Sequence, residues 1–399
     1  MILILSALSL LVIPAHASPG ADPCSTVRLD LPGGSMEHVE VRNQRQIGSC
    51  YAHTAAQIYD SWRFRHGDTD YGHQSSGFEI GQRFKIREGR TSDEILSING
   101  GFVESLIPML LEQGSCSQLE LDSLVKTGSI DKYASEIMEI FWKYRDRYRK
   151  ERRAFSQARA ERDAQEMARE RALPNRVLID NTRNAAIRNA RSSNRLATDD
   201  LFRGTVLAEG VEELKGHNSR ALVIQNPRIN YEDLKADGDT VDMFETISII
   251  NCPEARRIKT SAKFSLVNQR THYGDRWYET GQEKYKAVQS ISRIHREFDK
   301  GLEDAFPVGI SYCSSVLAEG KSFKPKVWAD DECKRHASII IGRQRNPKTN
   351  RCEFLIRNSW GSEGKYSPDW TFEKEKGQVW VDAAVMGRAI HDLQLVESK

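Results

Sequence analysis

A cysteine performs nucleophilic chemistry when three conditions meet: a lowered thiol pKa, an imidazole to take and return the proton, and donors for the oxyanion that forms on the attacked carbonyl. Cys50 ends a polar, glycine-containing loop and opens a stretch in which Ala52, Ala55, Ala56, Ile58 and Trp62 supply the small and apolar positions of a helix. A thiol at a helix N-terminus faces unpaired N–H groups and the positive end of the helix dipole, and both favour the thiolate. His336 lies at the start of the apolar run HASIIIG, a strand whose stiff backbone would aim its ring. Asn358, in RNSWG on the next strand, would hold that ring in orientation through its amide.

Taken singly, each residue has an ordinary explanation, since a lone buried cysteine is most often a small core residue. Together and in this order, NQRQIGSCYAH, HASIIIG and RNSWG resemble the nucleophile, histidine and asparagine segments of papain-like cysteine proteases. The resemblance covers Val41 to Ser117 and Ile294 to Val385. It implies that Cys50 is the nucleophile, His336 its acid–base partner and Asn358 the orienting residue. It further implies that Gln44, six residues before Cys50, donates to the oxyanion beside the Cys50 N–H, and that Trp360 shields the His–Asn hydrogen bond from water. Asn99-Gly100-Gly101 resembles the family's glycine pair, whose backbone binds an extended substrate, and Ala337 corresponds to a residue lining the pocket next to the scissile residue. The implied substrate is a protein or peptide, and no metal or organic cofactor is called for.

The chain departs from that pattern in several places. Ile47 and Ile98 stand where the family has a disulfide, so a crosslink is exchanged for an apolar contact. Tyr51 and His53 stand where the family has Trp and Phe; His53, one turn beyond Cys50, is expected to face the lobe interior and not to serve as the base. With only a short stretch between the expected cleavage site and Val41, the family's long inhibitory pro-segment is not expected. Cys50 and His336 are 286 residues apart, about twice the separation the resemblance implies, which points to a large insertion.

The elements that must position these residues divide the chain into a helix-rich first part and a strand-rich last part. A second helix follows Gly101, with Phe102, Leu106, Leu110 and Leu111 at helical spacing, and stops at Gly114. From about Asp131 to Arg171 a charged helical run carries one apolar stripe, Ile137, Phe141, Tyr144 and Tyr148, and ends near Pro174. Residues 174–219 show little periodicity. PVGISYC, HASIIIG, CEFLIRNSW and QVWVDAAV then read as strands of an antiparallel sheet. The expected fold is α+β and two-lobed, papain-like in design, with a helical N-terminal lobe, an antiparallel β C-terminal lobe and a charged helical insertion. The expected boundaries are a signal peptide at 1–17, an N-terminal segment at 18–40, the nucleophile lobe at 41–125, the insertion at 126–265 and the His/Asn lobe at 266–399.

Met1 to Ala17 combines a short apolar run with Ala15-His16-Ala17, a small-x-small cleavage site, and no later run is long enough to span a bilayer. Secretion, to the outside or to a periplasm, is therefore expected. In that oxidising setting a reactive Cys50 leaves six cysteines for disulfides, with Cys313 paired to Cys333 or to Cys352. Zinc at Cys313, Cys333 and His336 lacks a fourth ligand and is not expected. A net charge of +2 on 399 residues gives no general pull towards nucleic acid or membrane. The cluster Arg145, Arg147, Arg149, Lys150, Arg152 and Arg153 reads first as a solvated helix face. The sharper reading makes the insertion an intramolecular lid over the cleft, and nucleic-acid binding comes third. Two alternatives to peptide hydrolysis keep the fold: a cysteine acyltransferase or transglutaminase-like enzyme, and a silent binding module whose cleft is blocked by the insertion.

Overall fold

The computed structural model describes residues 24–45, 47–87, 100–172, 209, 212, 213, 216, 217, 252, 256–270, 296, 300, 301, 306–325 and 331–398. The expected signal peptide, Ile98, Asn99 and nearly all of 174–219 lie outside the described residues.

The first strand, β1 (Val27–Arg28), is followed by helices α1 (Cys50–Arg65), α2 (Gly77–Arg87), α3 (Val103–Gln113), α4 (Gln118–Ser123) and the long α5 (Ile130–Ala172). Then come β2 (Phe264–Arg270), β3 (Val308–Cys313), the short α6 (Ser315–Glu319), β4 (Arg335–Arg345), β5 (Cys352–Arg357), β6 (Thr371–Glu373), β7 (Gln378–Asp382), α7 (Ala383–Gly387) and β8 (Ile390–Ser398). The strands form one antiparallel sheet in the order β2-β8-β3-β4-β5-β7-β6, with β1 added to β4. Helices first and an antiparallel sheet last make this the α+β class expected.

Helix α1 is buried from Tyr51 to Arg63, so it is a central helix with no solvent face. Three alanines let its neighbours approach closely: α2 and α3 pack on one side, β4 and β3 on the other. Its N-terminus therefore meets the sheet at β4. Helix α3 ends at Gly114, whose φ of +74° lets the chain reverse where a side chain would strike the Ile258 carbonyl.

Strand β4 runs almost wholly buried through the middle of the sheet, between β3 and β5. Its register sets Tyr312 opposite His336 and Arg357 opposite Ile339, which brings Asn358, just past the end of β5, to the level of Ser338. Alternation along β4 then puts His336 and Ser338 on one face.

Several elements were not anticipated from the sequence. The N-terminal segment joins the sheet through β1, β2 begins at Phe264 and so spans the expected boundary at 265/266, and β8 closes the sheet against both β2 and β3. Cys313 pairs with Cys333, one of the two pairings expected; Cys24–Cys352 and Cys116–Cys252 complete the set, and Cys50 is free. No helix among the described residues is long and apolar enough to cross a membrane.

Candidate active site

Cys50 is the first residue of α1 and is half-buried. Burial pushes its thiol pKa up, while the backbone N–H groups of Ala337, Tyr51 and Cys50 itself favour the thiolate. The Ala337 N–H belongs to the residue after His336, so the thiol lies against β4 beside the histidine. Ala337 is itself 4% exposed, and this N–H is what it presents to the Cys50 thiol.

His336 is buried, and its Nε2 lies 2.7 Å from Asn358 Oδ1. The Ser359 backbone N–H also donates to that oxygen, at 2.8 Å, which fixes the amide with its oxygen towards the ring. Nε2 must then carry the proton, and Nδ1 is left as the acceptor that can take a proton from Cys50. Burial lowers the His336 pKa to about 4, with the Asn358 hydrogen bond working in the opposite direction. The Trp360 ring lies 5.1 Å from the His336 ring and Tyr366 stacks on Trp360 at 5.7 Å, so the His–Asn bond is roofed by aromatic surface.

Two hydroxyls extend this network. Ser338 Oγ donates to Asn358 Oδ1 at 3.2 Å, and the Tyr312 hydroxyl lies 3.0 Å from Ser338 Oγ. Because the Ser338 proton is committed to Asn358, Tyr312 is the donor in that pair. Its ring also meets His336 edge-on, 5.6 Å between centroids.

Gln44 reaches the sheet through a strand-like stitch between 42–44 and 359–361. Its backbone N–H donates to the Ser359 carbonyl at 2.8 Å, Asn43 bridges Trp360, and the Gly361 N–H donates to the Arg42 carbonyl at 3.1 Å. Ser359 Oγ donates to Gln44 Oε1, and Gln44 Nε2 donates to the Ile47 carbonyl at 2.7 Å. One amide hydrogen is thus used, and the second remains for another acceptor.

Next to the loop that leads into Cys50, Gly100 adopts a φ of +81° and donates its N–H to the Gly48 carbonyl at 3.2 Å. Gly101 lies flat on Tyr51, where a Cβ would come within 2.3 Å of the ring. That contact requires glycine at 101, as the backbone conformation favours it at 100.

His53 is fully buried in the helical part, 3.6 Å from Asp131 of α5, and so faces the interior as expected. Among the described residues, the one grouping with metal-like proximity is Cys313, Cys333 and His391, which does not include His336; its two sulfurs are joined in a disulfide. The start of α5 contributes Lys132, Ser135, Glu136 and Glu139 to a cavity of about 670 Å³ whose other wall includes Asn43, Trp360 and Lys365.

Sequence reasoning missed Ser359, Ser338, Tyr312 and Lys85, which donates to the Gly100 carbonyl. For Ser338 a signal was present: two residues beyond His336 in a strand, it had to share the histidine's face.

No protein-family model matches the chain, and no curated protein matches it in sequence. Among solved structures it is similar to digestive procathepsin L 3 of Tenebrio molitor larval midgut, with a TM-score of 0.38 and 10% identity, over 95% of this chain and 72% of that one. A structure from work on the mite allergens Blo t 1 and Der p 1 gives a TM-score of 0.39 and 11% identity over 96% and 73%. The bromelain protease of Ananas comosus, solved with the inhibitor E64, gives 0.35 and 10% over 92% and 98%. These neighbours are papain-like cysteine proteases. Similarity of this degree carries no functional argument; the side-chain geometry does.

Proposed function

We propose that this chain is a secreted cysteine endopeptidase that hydrolyses peptide bonds through a Cys50 acyl-enzyme. The observation that carries the reading is the His336–Asn358 hydrogen bond with its fixed tautomer, beside a thiol at a helix N-terminus. A thiolate and an imidazolium each suffer from burial, but side by side each charge offsets the other's penalty. The Cys50 sulfur attacks the carbonyl carbon. The oxygen takes up negative charge, stabilised by the second Gln44 amide hydrogen and the Cys50 N–H. His336 gives its proton to the leaving amine, and water, deprotonated by His336, then releases the acyl group.

The glycine pair presents backbone to the acyl side of the substrate, and the leaving group departs on the His336 and Trp360 side. The insertion serves as a fixed lid over that second side, a reading supported by the α5 residues that wall the cavity beside Trp360. Export to an oxidising compartment is supported by three disulfides.

The test is to treat the chain from Ser18 with an epoxysuccinyl peptide, read its intact mass, and assay a peptide library, with Cys50→Ala alongside. A single adduct and library cleavage, both absent from the variant, are expected. An unmodified wild type that cleaves nothing would overturn the reading.

A further inference from the structure

Lys85, near the end of α2, is 6% exposed, although lysine is among the residues least often buried. Its ammonium donates to the Gly100 carbonyl and lies 5.8 Å from the centre of the Tyr51 ring. Both contacts lead to the nucleophile. Tyr51 follows Cys50 directly, and the N–H of the same Gly100 is held by Gly48, two residues before Cys50.

Gly100 is therefore anchored at both ends, by a loop that leads into α1 and by a cation from α2. Gly101 is pressed against the Tyr51 ring by the absence of a side chain. No backbone hydrogen bond among the described residues engages Gly101, which is half-exposed. A registered backbone with open polar groups beside a nucleophile is an edge on which an extended peptide can add as a strand.

We propose that Lys85 is the positioning residue for this substrate edge, and that its ammonium, by fixing the Gly100 carbonyl, sets Gly101 in register with Cys50 for an extended acyl-side peptide. The inference rests on the peptidase reading for the identity of the occupant. A neutral, non-donating side chain at 85 leaves the thiol, its imidazole and the oxyanion donors untouched. It frees the Gly100 peptide group to rotate, so the loss grows with the length of chain laid along the edge. Small reagents that meet only the sulfur do not sense the change.

The experiment compares two reagents on wild type, Lys85→Met, Lys85→Gln and Lys85→Arg: iodoacetamide, which reads Cys50 alone, and an epoxysuccinyl tripeptide, which must also lie along Gly100–Gly101. In Lys85→Met the tripeptide reagent should inactivate roughly tenfold or more slowly, the scale set by losing one charged hydrogen bond, with the iodoacetamide rate within about twofold of wild type. Lys85→Arg, which keeps a cationic donor, should recover most of the difference, and Lys85→Gln should fall between. Equal losses with both reagents, or none with the tripeptide, would overturn the assignment, as would an arginine variant no better than methionine. Should Lys85→Met not fold, the glutamine and arginine variants carry the same comparison. A wild type unreactive to both reagents would instead sink the peptidase reading, a result distinct from any of these.

Discussion

Ser359 holds Gln44 twice, accepting its backbone N–H on the Ser359 carbonyl and donating its own hydroxyl to the Gln44 side-chain oxygen. Ser359 also donates its N–H to Asn358 Oδ1, so one residue sets both Gln44, the proposed oxyanion donor, and the amide bonded to His336. Gln44→Ala should lower kcat by about a hundredfold or more with little change in KM, as expected for a donor that acts on the developing charge. Ser359→Ala should cost kcat roughly tenfold. Steady-state kinetics on one peptide substrate checks both, and a Gln44 variant that altered only KM would contradict the role given to it.

The Ser338 hydroxyl locks the Asn358 amide from the sheet side. Ser338→Ala should cost about 1 kcal/mol of transition-state stabilisation, a severalfold fall in kcat, while Ser338→Thr, which keeps the hydroxyl, should stay nearer wild type. Tyr312→Phe preserves the ring against His336 and removes only the outer donor, so its effect should be the smaller.

Asp60, fully buried, receives Arg42 at 2.9 Å, Arg63 at 2.8 Å and the Ser75 hydroxyl at 2.7 Å. Asp60→Ala takes the carboxylate from the buried Arg42 guanidinium and one of two from Arg63, which keeps Asp68, and should destabilise the fold by about 3–5 kcal/mol, measurable by chemical denaturation. Since Arg42 lies in the segment that delivers Gln44, activity should fail before global unfolding as denaturant is raised.

Burial raises the Asp131 carboxyl to about 7 and lowers the His53 imidazole to about 3. In the folded protein the pair thus holds one proton between about pH 3 and 7. Unfolded, the same two groups also hold one proton between about pH 4 and 6.5, on the imidazole. The pair's contribution is therefore flat across that window and is lost outside it, as pH rises through 7 or falls through 3. Asp131→Asn leaves only the depressed histidine, whose contribution is present above about pH 6.5 and falls by about 1.4 kcal/mol per unit on acidification towards 3. Denaturation midpoints from pH 4 to 8 should show a new acid-side slope in the variant relative to wild type.

Cys50, His336 and Asn358 were recognisable as candidates because each stands where a local pattern changes (loop to helix, loop to strand, and strand end) and because their three segments together resemble the papain-like pattern. The residues that hold them were not. Ser359 and Gln44 are separated by 315 positions and are of types that occur anywhere on a surface, so only the stitch between 42–44 and 359–361 relates them. Lys85 is one charge among many in the sequence, and nothing in its spacing reveals that its ammonium turns inward. Of the strands, β3, β4, β5 and β7 are apolar runs that announce themselves. Strand β2 is mostly half-exposed, β1 is two residues long, and β8 buries His391 and Gln394 among its leucines, so none gives a clean alternation. Only Cys313–Cys333 among the disulfides is local enough to be guessed; the other two close loops of 328 and 136 residues.

Those two long crosslinks bear on covalent continuity. Cys116–Cys252 encloses the stretch in which a protease cut would separate the piece carrying Cys50 from the piece carrying His336, and Cys24–Cys352 joins the same two pieces a second time. A molecule clipped between 116 and 252 would stay one covalent particle, migrating as a single species until reduced. Reducing agents therefore act on this chain in opposing ways: the treatment that keeps the free Cys50 thiol reduced also opens the sulfur bridges that would hold a clipped molecule together.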